Sequence, residues 1–164
     1  MVNTAYPMTK ISHFIASGFY SGFLPRVPGT WGSLIFIPIW WLFIGIFKVP
    51  ETIFFGILLC LAILTISRCI QSSINSNELA EVKSKQDPGY IVIDEWVGMS
   101  ISLWGIASNN YIMILISFLM FRFFDVLKPG PIKTSEKLPG SIGIIADDLL
   151  AGLVVTFLIQ VFLI

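Results

Sequence analysis

The sequence predicts an all-α integral membrane protein. The expected architecture is a helical bundle of about four to five transmembrane helices plus an N-terminal interfacial or re-entrant helix. Three observations predict it. Of 164 residues, 55% are hydrophobic and only 12% charged, about half the charge that a soluble domain carries. Mean hydropathy is +0.86. The apolar residues gather into segments close to the length that crosses a bilayer, divided by short polar turns. One domain, residues 1–164, accounts for the length.

Each element follows from its local pattern. Residues 10–23 are apolar but short and interrupted, and they lead into a Pro/Gly-rich turn. That fits an interfacial or re-entrant helix better than a cleaved leader. Thr30 is placed to cap a first span over 30–47. A turn at 48–51 leads to a second span over 52–67, followed by the long polar segment 68–89. The third span, 90–107, contains two acids; after 108–110 a fourth runs over 111–126. A Pro, Gly and Lys-rich loop at 128–141 precedes a fifth span over 144–164. Cys60 and Cys69 match no zinc spacing and no disulfide framework, which leaves them as packing residues.

Counting crossings puts nine of the ten basic residues on one side: Lys10, Arg26, Arg68, Lys83, Lys85, Arg122, Lys128, Lys133 and Lys137. Only Lys48 falls opposite. The positive-inside rule assigns the basic side to the cytoplasm. Formal net charge is zero, so no basic field recruits nucleic acid.

Five carboxylates lie in or beside these greasy segments: Asp94 and Glu95, Asp125, and Asp147 and Asp148. An ionised carboxylate in hydrocarbon costs several kcal/mol or more, so these groups face a partner, a cation or a water-filled cleft. The crossing count brings them to the cytoplasmic ends of their helices, beside Arg26, Arg122 and Lys128. Gly98 follows Asp94 by four residues, and Gly152 follows Asp148 by four. Small residues at that spacing let another helix approach, which turns both carboxylates into the bundle.

Oxygen ligands without a His/Cys cluster favour a hard cation, with magnesium the leading choice. Internal salt bridges with Arg122 or Lys128 are the competing assignment. Arg122 and Asp125 share a helix face, and Arg122 and Lys128 are suited to a phosphate. The turn Pro28-Gly29-Thr30 offers backbone amides at a helix start to an anion, with Arg26 adding charge. A second glycine turn over 139–143 leads into Asp147 and Asp148. His13, the only histidine, is a candidate general acid. No serine or cysteine nucleophile is recognisable, and metal-activated water suits the residues better than a covalent route.

Four segments carry a resemblance: LPRVPGTWGSL, DPGYIVIDEWVGM, FRFFDVLKPGPI and GIIADDLLAGL, in that order. Together they resemble the phosphatidylglycerophosphatase A family over residues 18–153. The resemblance implies a magnesium-dependent lipid phosphatase of the bacterial cytoplasmic membrane, multi-pass, with its site facing the cytoplasm. Its substrate would be phosphatidylglycerophosphate and its lipid product phosphatidylglycerol. No obligate protein partner is expected. Asp94, Glu95, Asp147 and Asp148 are the expected metal ligands, with Asp94, Asp125, Asp148 and His13 catalytic. Arg26, Gly29, Thr30, Arg122 and Lys128 are the expected phosphate ligands. His13 stands ahead of a Ser21-Gly22 pair, as such sequences allow. Gly130 departs from the pattern, where an aromatic residue is common. The rival readings are a cation- or proton-coupled transporter using the same acids, a non-catalytic subunit, and a different phospholipid enzyme such as a transferase.

Overall fold

The computed structural model describes residues 7–75, 89–135 and 138–163. Among them are seven α-helices and no strand, so the protein is all-α. Lys83, Lys85 and Lys137, counted above on the basic side, lie outside the described residues.

Helix α1 (Pro7–Ala16) stops short of the expected 10–23. Gly18, Phe19 and Tyr20 all adopt positive φ, at 53°, 58° and 68°, and left-handed backbone cannot continue a right-handed helix. A single 3₁₀ turn, Ser21–Phe23, follows. Helix α2 (Pro28–Trp40) opens on a proline, whose missing N–H is of no consequence at the first helical position. The helix therefore begins before Thr30, and the capping role expected of Thr30 is corrected. Val27 is the cap residue, without a side-chain cap bond, and Thr30 donates its N–H to the Val27 carbonyl at 3.1 Å. Pro38 interrupts the hydrogen-bond ladder, and the chain widens into a π-helix at Trp41–Ile46.

Helix α3 (Glu51–Asn75) runs past the expected end at residue 67, so Arg68 belongs to a helix rather than to a loop. The third expected span needs a larger correction. Over 90–107 the only α-helix is α4 (Ile93–Ser102), which at ten residues is about 15 Å long against a hydrocarbon core of about 30 Å. Nine of its ten residues are buried, with Glu95 half-buried. A helix can end inside an apolar bundle only if its last carbonyls find donors. Here Thr156 donates to Ile101 O (2.5 Å), Ser117 to Ser102 O (2.7 Å), and Gln160 to Trp104 O (3.2 Å).

Helix α5 (Tyr111–Leu127) is capped by Asn110, whose side chain accepts the Met113 N–H at 3.2 Å. It ends on Lys128 in left-handed conformation, φ 44°. The expected loop over 128–141 contains a short helix, α6 (Pro131–Ser135), which buries Ile132. Gly130, the departure from the family pattern, has φ +46°, a backbone that suits glycine. Helix α7 (Gly140–Phe162) starts earlier than expected and takes the second glycine turn into its first residues.

Among the described residues, three stretches are long and apolar enough to cross a membrane: Pro28–Ile46, Glu51–Gln71 and Gly140–Phe162. Helix α4 is the hub and packs most extensively on α7. A Cβ on Gly98 would lie 2.5 Å from the Asp148 carbonyl oxygen, and one on Gly152 would collide with the Gly98 carbonyl. Only glycine permits this approach, as the four-residue spacing predicted. The core around α4 includes Phe36, Trp40, Met99, Phe121 and Ile159. Outward faces are apolar instead of charged: Ile53, Ile57, Ile112, Leu119, Phe123 and Phe157 are all more than half exposed. Such faces belong against lipid.

Contacts between helix ends sort the bundle into two poles. Glu51 accepts the Gly105 N–H at 3.0 Å at one pole, near Trp104 and Gln160. At the other, Ser67 meets Ser141 at 3.0 Å, and the starts of α2, α4 and α7 gather with the end of α5.

Candidate active site at one pole of the bundle

Helix α4 contributes Asp94 and Glu95 from its first turn, α5 contributes Arg122 and Asp125 from its last turns, and α7 contributes Asp147 and Asp148. Lys128 projects from the left-handed end of α5, and Gly29 from the first turn of α2. Trp96 holds α4 against α2 by donating its indole N–H to the Gly32 carbonyl at 2.9 Å. The Val92 N–H donates to Ala16 O at 2.9 Å and fixes the start of α4 on α1.

All five acids are shielded from solvent. Asp94 and Asp148 are 3% exposed, Asp147 6% and Asp125 9%, while the Glu95 side chain is 13% exposed. Two find close basic partners, and a third, Glu95, reaches one at the limit of ion-pair distance. Arg122 Nη1 lies 2.6 Å from Asp125 Oδ2 and 4.0 Å from Glu95 Oε1. Lys128 Nζ donates to Asp147 Oδ2 at 2.5 Å. Asp94 Oδ1 accepts the Glu95 N–H at 3.1 Å. The salt-bridge assignment thus holds for Asp125 and Asp147 but does not account for the cluster.

Glu95 Oε2, Asp147 Oδ1 and Asp148 Oδ1 are buried without a hydrogen-bond partner among the described residues. Leaving such an atom unsatisfied costs about 1–3 kcal/mol, and more when it is charged. The acids also fall into two close groups. Oxygens of Asp94, Glu95 and Asp148 lie within 4.8 Å of one another, and so do oxygens of Asp125, Asp147 and Asp148. At that separation two carboxylates repel by about 3–4 kcal/mol in an effective dielectric of about 20. Crowded oxygens with unsatisfied lone pairs and no nitrogen or sulfur donor fit a hard divalent cation.

Gly29 is buried against this cluster. A Cβ there would run into Glu95 Oε1 and stand 3.0 Å from both terminal nitrogens of Arg122. The turn expected to meet phosphate therefore touches the acid–base pair directly. Arg26 is exposed with φ 77°, and Thr30 is half-buried in α2. His13 is half-buried, and its ring packs on Tyr90 with centroids 5.4 Å apart. Tyr90 in turn stacks on Phe23 at 5.5 Å. Tyr90 and Trp96 escaped the sequence reading. Tyr90 sits four positions before the acidic pair and Trp96 directly after it, and nothing in their local pattern separates them from packing aromatics.

Fold and site define a helical bundle of membrane character, with an acidic centre suited to a hard cation and basic groups suited to an anion. A family model described as Phosphatidylglycerophosphatase A matches residues 14–163, and the chain belongs to that family. A phosphatidylglycerophosphatase A of Escherichia coli (strain K12) is 34% identical over 148 residues, covering 90% of this chain and 80% of the relative. One of Haemophilus influenzae (strain Rd) is 36% identical over 163 residues, covering 94% of each. A Bacteroides thetaiotaomicron protein named putative phosphatidylinositol-3-phosphatase is 35% identical over 150 residues, covering 90% of each. No solved structure matches the chain.

Proposed function

We propose that this protein is a magnesium-dependent lipid phosphatase that hydrolyses phosphatidylglycerophosphate to phosphatidylglycerol and inorganic phosphate. It acts at the cytoplasmic face of a bacterial inner membrane, in glycerophospholipid synthesis. The observation that carries the reading is the shielded cluster of Asp94, Glu95, Asp125, Asp147 and Asp148, interleaved with Arg122 and Lys128, in a chain of this family. Helices α2, α3 and α7 cross the membrane, α5 and the short α4 with the turn after it run between the same two poles to make up four to five passes, and α1 lies along the interface. The acyl chains stay in the bilayer while the headgroup reaches the polar pole.

Asp94, Glu95, Asp147 and Asp148 would hold magnesium, directly or through water. A bound ion would supply positive charge for a phosphate and would make a water more acidic. The chain's own groups do the rest. Arg122 and Lys128 orient the phosphate, helped by Arg26 and by the backbone at Gly29 and Thr30, and stabilise negative charge as the P–O bond to glycerol breaks. Asp125 is either a further metal ligand or the group that orients the attacking water, whose oxygen forms the new P–O bond. His13 is the candidate donor of the proton that the glycerol alkoxide takes up.

The transporter reading finds less support. Acids that serve alternating access lie near mid-depth on broken helices, whereas these gather at one pole. The test is phosphate release by purified protein in detergent micelles containing phosphatidylglycerophosphate, with and without magnesium. Magnesium-dependent release that is lost in Asp148→Asn is the expected result. Release from phosphatidylinositol 3-phosphate alone would move the substrate to the headgroup in the name of the Bacteroides relative. Release from neither lipid by folded protein would overturn the phosphatase reading.

A further inference from the structure

We propose that the site holds two divalent cations, with Asp148 the ligand common to both; this rests on the metal-dependent reading above and adds the number of ions and the sharing residue. The two close acid groups overlap in Asp148 alone. The first is built by α4 and α7 from Asp94, Glu95 and Asp148, and the second by α5 and α7 from Asp125, Asp147 and Asp148. Neighbouring helix positions diverge by about 100°. That divergence explains why Asp147 turns toward Lys128 and Asp125 while Asp148 can reach the α4 acids as well.

Two observations point to ions in both groups. Besides the shared one, each group contains a buried oxygen that has no hydrogen-bond partner among the described residues. Glu95 Oε2 serves the first and Asp147 Oδ1 the second, while Asp148 Oδ1 is open to both, on a residue only 3% exposed. The second observation is charge. Among the described residues, five carboxylates stand with two cations that form ion pairs in the cluster, Arg122 and Lys128. With all five ionised, these residues alone leave a balance of three negative charges. One divalent ion leaves the site negative and repelling toward a phosphate monoester; two carry it to net positive. Ligand number argues the same way, because a single magnesium is usually bound through one or two carboxylates with waters and phosphate oxygens completing its shell. Five are too many for one ion and suitable for a pair with one bridge.

The test counts manganese ions, without substrate, on the purified full chain in detergent micelles. Calorimetry is combined with electron paramagnetic resonance of the free ion. Wild-type protein should take up about two ions per chain. Asp94→Asn and Asp147→Asn should each keep about one, and Asp148→Asn should weaken both sites by at least about tenfold. Circular dichroism and the thermal midpoint establish that each variant is folded. Should Asp148→Asn fail to fold, the other two variants decide, since loss of different single ions in each requires two sites. Saturation of the wild type at one ion overturns the proposal, as does an Asp148→Asn protein that loses only one of two. Full magnesium-dependent phosphatase activity in a one-ion protein would sink this inference and leave the phosphatase reading standing. Two bound ions without phosphate release from any lipid monophosphate would do the reverse.

Discussion

Gly29 and Lys128 carry more of the site than their side-chain chemistry suggests. Gly29 is the position where α2 meets the Glu95–Arg122 pair, and an added Cβ would occupy the space that Glu95 Oε1 fills. The Glu95 carboxylate ends a flexible side chain, so Gly29→Ala should shift it without unfolding the bundle. A displacement of about 1 Å at a reacting centre can cost about a hundredfold in rate. That loss in kcat, with a thermal midpoint changed by no more than a few degrees, is the expected outcome; unchanged kcat would remove Gly29 from the site. Lys128 is a stability residue as well. Its side chain is 26% exposed and that of Asp147 8%, so solvent screens part of their attraction. Lys128→Met strands a buried carboxylate and should cost about 1–3 kcal/mol, read from unfolding in chelator. Adding Asp147→Asn should recover part of that loss, whereas strict additivity in the double-variant cycle would show the pair to be uncoupled.

At the scale of elements, the decisive contact is the crossing of α4 and α7. Gly98 and Gly152 abut each other's helix backbone, which cannot give way as a side-chain tip can. Because the oxygen nearest a Cβ on Gly98 belongs to Asp148 itself, separating the helices also moves an acid of the site. Gly98→Val should destabilise the protein by about 1–3 kcal/mol or more and abolish turnover. Gly56, in α3, has nothing within 4 Å of its would-be Cβ. Gly56→Ala should instead be neutral or stabilising by up to about 1 kcal/mol, because alanine is the better helix former. Equal losses in the two variants, measured by thermal unfolding in the same detergent, would refute the close-packing account. The brevity of α4 also belongs to this scale. Residues 90–107 read as one apolar stretch, and only donors from distant residues, Ser117, Thr156 and Gln160, allow the helix to stop at Ser102.

For the whole molecule, the two poles make a topology test possible. Lys48 lies in the turn between the first two membrane-length stretches, and Lys133 lies in α6 near the acidic pole. If the acidic pole faces the cytoplasm, K48C should react with a membrane-impermeant thiol reagent in intact cells. K133C should react only after permeabilisation. The labels are read in a background with Cys60 and Cys69 replaced, and the reversed pattern would invert the proposed orientation.

The sequence by itself determined the apolar character, the all-α class and the family, and it named the five acids, Arg122 and Lys128 that the structure brings together; Arg26, Thr30 and His13 were named beside them without that support. Those are local properties: a charge in hydrocarbon needs a reason wherever it occurs, and the residues at 94, 125 and 148 announce it without their neighbours in space. The glycine close approach was legible too, since a carboxylate and a glycine four residues apart share a helix face. Where α2 begins, how far α3 extends and where α4 ends were harder to read, because those boundaries depend on proline geometry and on hydrogen-bond donors far away in the chain. Only the tertiary structure decided that Lys128 goes to Asp147, that Arg122 stands between Asp125 and Glu95, and that Asp148 alone joins both acid groups. Each of these depends on the rotation of one helix about its axis relative to another, and helix rotation is set by packing that no single segment encodes.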